Sequence, residues 1–233
     1  MVPMRDGIHL ATDVYRPMVD GRAVDRPLPV IMERTPYGKR RVNRSERSSE
    51  QQEAAVRPEV AAFFAREGFI VRSSTQSSMV LAVMQDCRGR YASEGRFTKY
   101  VNEAEDGFDT MAWLIEQDWC DGTVGTMGVS YGAHTQCALA SLNPPGLACM
   151  FMDSGGFANA FQGGIRRGGA FELKQATWAY KHALLSPATL ADPVRAEALR
   201  QTDIVEWFRN MPWEPGHSPL SAAPEYEAYL FEQ

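Results

Sequence analysis

The chain has 233 residues, 44% of them hydrophobic, with 24 Lys and Arg against 29 Asp and Glu for a net charge of -5. That apolar share is enough for a packed core, and the acidic balance offers no electrostatic attraction to nucleic acid or to an anionic membrane. No apolar run reaches the ~18 residues of a membrane span, and Met1–Tyr15 lacks a charged-then-apolar leader pattern, so a cytoplasmic protein is expected.

Asp6-Gly7 interrupts two alternating segments, Val2-Pro3-Met4 and Ile8 to Tyr15, and reads as a hairpin turn. Leu28 to Met32 is a short buried strand. The basic cluster of Arg34, Lys39, Arg40, Arg41, Arg44 and Arg47 lies among polar residues and reads as a solvated loop. Pro58 opens a helix through Val60, Phe63 and Phe64 that stops at Gly68. Phe69-Ile70-Val71 and Val80 to Met84 are strand material separated by a polar, serine-rich stretch.

A helix follows over Glu103–Gln117, with Phe108, Ala112 and Ile115 on one face. Val124 to Val129 is a strand, Tyr131 to Leu142 a helix, and Leu147 to Met152 another apolar strand. Strands alternating with helices predict an α/β fold whose parallel sheet is buried on both sides. The four cysteines (Cys87, Cys120, Cys137, Cys149) form no C-x-x-C pair and have no His at ligand spacing, so no disulfide framework or zinc site is expected. Cys137 and Cys149 read as buried thiols. Beyond Gly155 glycines break the chain, and Phe171 to Leu185 and Val194 to Phe208 read as helices without strands. The expected domains are 1–154, the α/β core, and 155–233, a helical segment.

Gly128-Val129-Ser130-Tyr131-Gly132 fits G-x-S-x-G between an apolar strand and a helix, the setting of a nucleophile elbow. Glycines flank the serine because a turn that tight leaves no room for a Cβ. Ser130 would stand at the strand's end near the positive end of the helix, with the Tyr131 backbone N–H aimed at a developing oxyanion.

Other words extend the motif: Met4 to Pro17, Arg34-Thr35-Pro36-Tyr37, Gln85-Asp86-Cys87-Arg88-Gly89, Ala92-Ser93-Glu94-Gly95 and Asp118-Trp119-Cys120-Asp121-Gly122. In this order they resemble the X-prolyl dipeptidyl peptidase and cocaine esterase family of α/β-hydrolases, over roughly residues 3–155 and more loosely to the end. The resemblance implies an α/β-hydrolase core followed by the start of a helical cap. It also implies that the Tyr37 phenol completes the oxyanion hole with the Tyr131 N–H. Asp86, Arg88 and Glu94 read as loop-holding ion pairs, and Asp106 and Asp109 as acidic residues favoured early in a helix.

In this family the acid and histidine follow the cap, which places them, with the last sheet strands, beyond Gln233. Local substitutes are poor: His134 is one helical turn after Ser130, His182 and His217 lie in the cap, and His9 lies in a hairpin strand. Asp153, ending the strand after the nucleophile helix, is the best local acid. Residues 72–82 interrupt what relatives run as one strand, Gly68 to Val71 joined to Val83 to Asp86.

The expectation is therefore a serine hydrolase that cleaves an ester or amide of a small-molecule or peptide substrate through an acyl-Ser130 intermediate, without cofactor or metal. Phe157, Phe161, Trp178 and Tyr180 are candidate acyl-pocket aromatics, with ordinary helix packing as the plainer reading. The alternative is a catalytically inactive fragment or binding module of the same fold. Its open strand edge would favour association, so a homo-oligomer is among the expected partners.

Overall fold

A computed structural model describes residues 1–42, 55–67, 79–155, 166–167 and 170–231 of the chain. At the N-terminus Asp6-Gly7 closes the expected hairpin: β1 (Val2–Pro3) pairs antiparallel with β2 (His9–Leu10), and Gly7 takes a φ of 84°. Val2, Met4 and Leu10 are buried together beneath it. After Ala11 the chain leaves the hairpin, and β3 (Thr12–Tyr15) joins the main sheet. A second hairpin, β4 (Met18–Val19) with β5 (Arg22–Ala23), turns at Asp20-Gly21, whose φ values of 52° and 76° are both positive. Asp-Gly meets that need here too.

The main sheet adds β6 (Leu28–Thr35), β7 (Leu81–Asp86), β8 (Cys120–Val129) and β9 (Leu147–Asp153), in the order β3-β7-β6-β8-β9. Only β3, among these, is antiparallel to its neighbour. Helices α1 (Arg57–Glu67), α2 (Glu103–Ile115) and α3 (Tyr131–Ala140) lie in the connections. Strand alternation sorts the core in two. Leu28, Val30, Met32, Leu81 and Val83 pack with Met111 and Leu114 of α2 and Leu139 of α3, whereas Ile31, Ala82 and Met84 pack with Ala61 of α1.

Several sequence expectations need correction. β7 agrees with the strand expected over Val80–Met84, but its Leu81 and Ala82 pair with Val30 and Ile31, so the interruption read over residues 72–82 does not extend to them. The expected Phe69–Val71 strand and residues 72–78 lie outside the described residues. On α1, Ala61 and Ala65 are buried but Phe63 is 53% exposed. The most buried residues of α2 are Glu103, Asp106, Gly107, Thr110, Met111 and Leu114, with Phe108 and Ile115 partly buried against the same core. β9, read as buried, is the sheet's exposed edge, with Phe151 at 70%. Cys149 is accordingly exposed and Cys137 half-buried, whereas Cys87 and Cys120 are buried. Between α1 and this edge lies a cavity of about 430 Å³ lined by Glu33, Val60, Phe63, Phe64, Met127 and Phe151 among others.

The chain divides into two compact units, one of Met1–Arg88, Ala92–Gly95 and Asn102–Gly156, the other of Gly89–Tyr91, Arg96–Val101 and Phe157–Gln233. The second holds a short hairpin, β10 (Arg166–Arg167) with β11 (Ala170–Phe171), which the sequence reading did not anticipate. After it come α4 (Leu173–Ala183), α5 (Pro187–Leu190), α6 (Pro193–Arg200), α7 (Ile204–Arg209) and α8 (Pro224–Phe231). The single helix expected over Val194–Phe208 is thus two. Asp203 breaks it by accepting from the Val205 and Glu206 amides as an N-cap.

Polar side chains fill part of this unit's interior. Lys99 donates to Gln175 Oε1 at 2.6 Å and to Tyr229 Oη at 3.0 Å, with its Nζ 3.9 Å from the Trp178 ring centroid. Arg90 reaches His182 Nδ1 at 3.0 Å. The Tyr180 phenol donates to the Leu199 carbonyl at 2.7 Å, so Trp178 and Tyr180 both have packing roles. Phe157 and Phe161 lie outside the described residues.

Candidate active site

Ser130 joins β8 to α3 with φ 57° and ψ −113°, a strained conformation for a residue with a side chain. Such strain costs about 1–3 kcal/mol and persists only where the surroundings impose it. Here the Ser130 N–H donates to the Asp153 carbonyl of β9 at 2.9 Å, and the Ser130 carbonyl accepts from Ala133 at 3.1 Å and His134 at 3.3 Å. Gln136 ties the first turn of α3 down, donating to the Gly132 and Phe151 carbonyls and accepting from Thr126. A Cβ at Gly128 would lie 2.8 Å from the Gly132 carbonyl oxygen, so glycine is required there. Gly132 differs: its nearest contact would be the Arg34 carbonyl at an ordinary 3.6 Å. The expectation that both glycines relieve a clash therefore holds only at Gly128.

The Ser130 side chain is exposed and does not cap α3. Its Oγ lies 3.3 Å from the Tyr37 Oη. Tyr37 follows β6 in a loop fastened at several points. Thr35 Oγ1 accepts from the Tyr37 amide at 3.1 Å, Asp86 accepts from the Lys39 amide at 2.6 Å, and Arg57 donates to the Gly38 carbonyl at 3.3 Å. Burial raises the Asp86 pKa, with the hydrogen bonds from the Lys39 and Ala92 amides opposing. Lys39 and Arg40 both pair with Asp13. The solvated-loop reading of this basic stretch therefore fails at Arg34 and Lys39, which are buried; Arg44 and Arg47 lie outside the described residues.

Asp86, Arg88 and Glu94 do hold loops, but not as one cluster. Arg88 pairs with Asp6 at 2.6 Å and Asp106 at 2.5 Å, joining the first hairpin to α2, and Glu94 accepts from the His9 amide at 2.9 Å. Asp109 likewise pairs with Arg5.

Tyr131 is buried, and its phenol donates to Glu103 Oε1 at 2.8 Å. Glu103 faces Arg34 across 3.2 Å, and both side chains are buried. Burial raises the Glu103 pKa, while Arg34 and the Tyr131 hydrogen bond oppose the rise. Arg34 is fixed further by Gln85 Oε1 at 2.8 Å and the Glu103 carbonyl at 2.8 Å. Gly107 makes room for it, since a Cβ there would come 3.0 Å from Nη1. The sequence reading missed Glu103 and placed Arg34 in solvent, although Arg34 stands only two residues past the apolar run, still within β6.

Among the described residues the Ser130 hydroxyl meets Tyr37, and no imidazole is placed on it. His134 is buried, with its ring 6.0 Å edge-on from that of Tyr131. His9 pairs with Glu94, and the His217 main chain bonds Glu214. His182, held by Arg90, has its pKa pushed down to about 3 by burial and then by Arg90. Asp153 is exposed and accepts from the Ser154 hydroxyl at 2.7 Å. No group of three His, Cys, Asp or Glu side chains among the described residues could hold a metal ion.

A strained serine between a parallel strand and a helix, beneath flanking helices, defines the α/β-hydrolase class. The fold agrees with that of a CocE/NonD family hydrolase from Staphylococcus aureus, with a TM-score of 0.57 and 26% identity over 80% of this chain and 33% of the other. The family model for X-Pro dipeptidyl-peptidase (S15 family) matches residues 6–229, and the chain belongs to that family. It is 42% identical over 148 residues to the cocaine esterase of Rhodococcus sp. (strain MB1 Bresler), covering 63% of this chain and 21% of that protein. A putative serine esterase of Mycobacterium bovis is 31% identical over 148 residues, 61% of this chain and 22% of the relative. An aminopeptidase from a marine sediment Thaumarchaeota archaeon matches 78% of this chain and 29% of its own, with a TM-score of 0.53 and 25% identity. The chain thus spans about a fifth of the length of the curated relatives it matches. The family is one of hydrolases, both esterases and peptidases.

Proposed function

We propose that Ser130 is the nucleophile of an acyl hydrolase acting on a small ester or peptide-like substrate. The carrying observation is an exposed Ser130 Oγ on a strained turn, 3.3 Å from the Tyr37 phenol. Oγ attacks the substrate carbonyl carbon as its proton leaves to a base, and the carbonyl π pair moves onto oxygen. The Tyr37 O–H and the Tyr131 N–H stabilise that oxyanion. When it collapses, the bond to the alcohol or amine breaks, the leaving group takes a proton, and water then releases the acid from acyl-Ser130. The two curated relatives are esterases by name, which favours an ester. The base and its orienting carboxylate are assigned to none of the described residues.

A second reading, a non-catalytic module of the same fold, draws on the absence of an imidazole at Ser130 among those residues. A fluorophosphonate probe separates the two, with imidazole in the buffer as an external base. Stoichiometric labelling abolished by Ser130→Ala is the expected result. Tyr37→Phe should slow it by about 10²–10³-fold, as expected for one lost oxyanion donor. Folded protein that resists the probe supports the module.

A further inference from the structure

Resting on Ser130 as nucleophile, we infer that Glu103 is a positioning residue for the oxyanion donors, acting through the Tyr131 phenol on one side and Arg34 on the other. Its two carboxylate oxygens are divided between these tasks. Oε1 accepts from the Tyr131 Oη at 2.8 Å, and Oε2 faces Arg34 Nη2 at 3.2 Å. Tyr131 directly follows Ser130, so a fixed phenol restrains the peptide whose N–H is the proposed main-chain donor. Arg34 precedes Tyr37 by three residues on the strand that delivers it, and the Arg34 carbonyl also meets Thr135 Oγ1 of α3 at 3.4 Å. One buried carboxylate thereby connects the chain on both sides of the Ser130 hydroxyl.

Stability alone is a poor account of this arrangement. Desolvating a carboxylate and a guanidinium costs as much as their attraction returns, and apolar side chains of similar volume commonly serve a core as well. Directional hydrogen bonds give something apolar packing does not, a defined angle for the Tyr131 backbone. Misplacing reacting groups by about 1 Å can cost 10²-fold in rate.

The test measures saturation kinetics of fluorophosphonate labelling on the whole chain, with imidazole present, for wild type, Tyr131→Phe and Glu103→Gln. Tyr131→Phe should lower the limiting rate about tenfold or more at full stoichiometry, with half-saturation close to wild type and a lower melting temperature, because the buried Glu103 carboxylate loses a donor. Glu103→Gln, whose amide oxygen can still accept from the phenol but which no longer faces Arg34 with a charge, should lower the limiting rate as well, by less than Tyr131→Phe. A purely structural role would instead reduce the labelled fraction and leave the rate constant intact. A wild-type rate for Tyr131→Phe or for Glu103→Gln overturns the positioning role and leaves the nucleophile standing. Wild-type protein that is never labelled at Ser130 removes the nucleophile and this inference with it.

Discussion

Gly128 and Gly132 occupy symmetrical places in G-x-S-x-G, yet they face different surroundings. At Gly128 a methyl group would press on the Gly132 carbonyl, whereas at Gly132 it would find an ordinary contact. Gly128→Ala should therefore destabilise the chain by about 1–3 kcal/mol, as overpacking does. Gly132→Ala, inside the first turn of α3, should be neutral or stabilise by up to about 1 kcal/mol. Urea midpoints of the two variants check this, and the reverse ranking would refute it. The serine was legible because it sits in a short local word, whereas Tyr37 was singled out only by the resemblance that Arg34-Thr35-Pro36-Tyr37 helps to carry. Glu103 was not, because a buried carboxylate on a helix looks the same in sequence as an exposed one.

At the scale of elements, α1 is joined to β6 by Arg57 and Glu33, 2.8 Å apart with side chains 2% and 3% exposed. Arg57 also holds the Gly38 carbonyl in the Tyr37 loop. Arg57→Leu alone takes the guanidinium from a buried carboxylate and should cost about 3–5 kcal/mol. Adding Glu33→Leu should recover most of that stability while labelling at Ser130 stays slow, because the loop tie is still missing. Thermal melts with probe kinetics on both variants decide it; a double variant no more stable than the single one counts against this account. Short apolar runs placed β6, β7 and β8 well, since strands covered on both faces are apolar at successive residues. They did not reveal that the buried stripe of α2 is largely polar, and they misjudged β9, whose apolar run forms an exposed edge.

For the whole chain, His182 makes stability depend on pH. Its folded pKa of about 3 lies below the ordinary 6.5, through burial and then Arg90. Between those values the unfolded chain binds a proton that the folded chain refuses, so stability falls as pH falls from 6.5 toward 3. By pH 5 the loss from this group should be about 2 kcal/mol. His182→Asn, which keeps an acceptor for Arg90, should lose correspondingly less between pH 7 and pH 5 in urea titrations. An equal loss in both proteins would contradict this origin.

The amino-acid sequence by itself determined the α/β alternation, the hairpin at Asp6-Gly7 and the turn carrying Ser130, because each follows from residues adjacent along the chain. Tertiary structure alone decided that Tyr37 lies against Ser130, that Arg34 and Glu103 face each other beneath Tyr131, and that β9 stands open. The first two join residues between 28 and 93 positions apart. The encounter of such distant groups depends on sheet order and register, which no local pattern encodes.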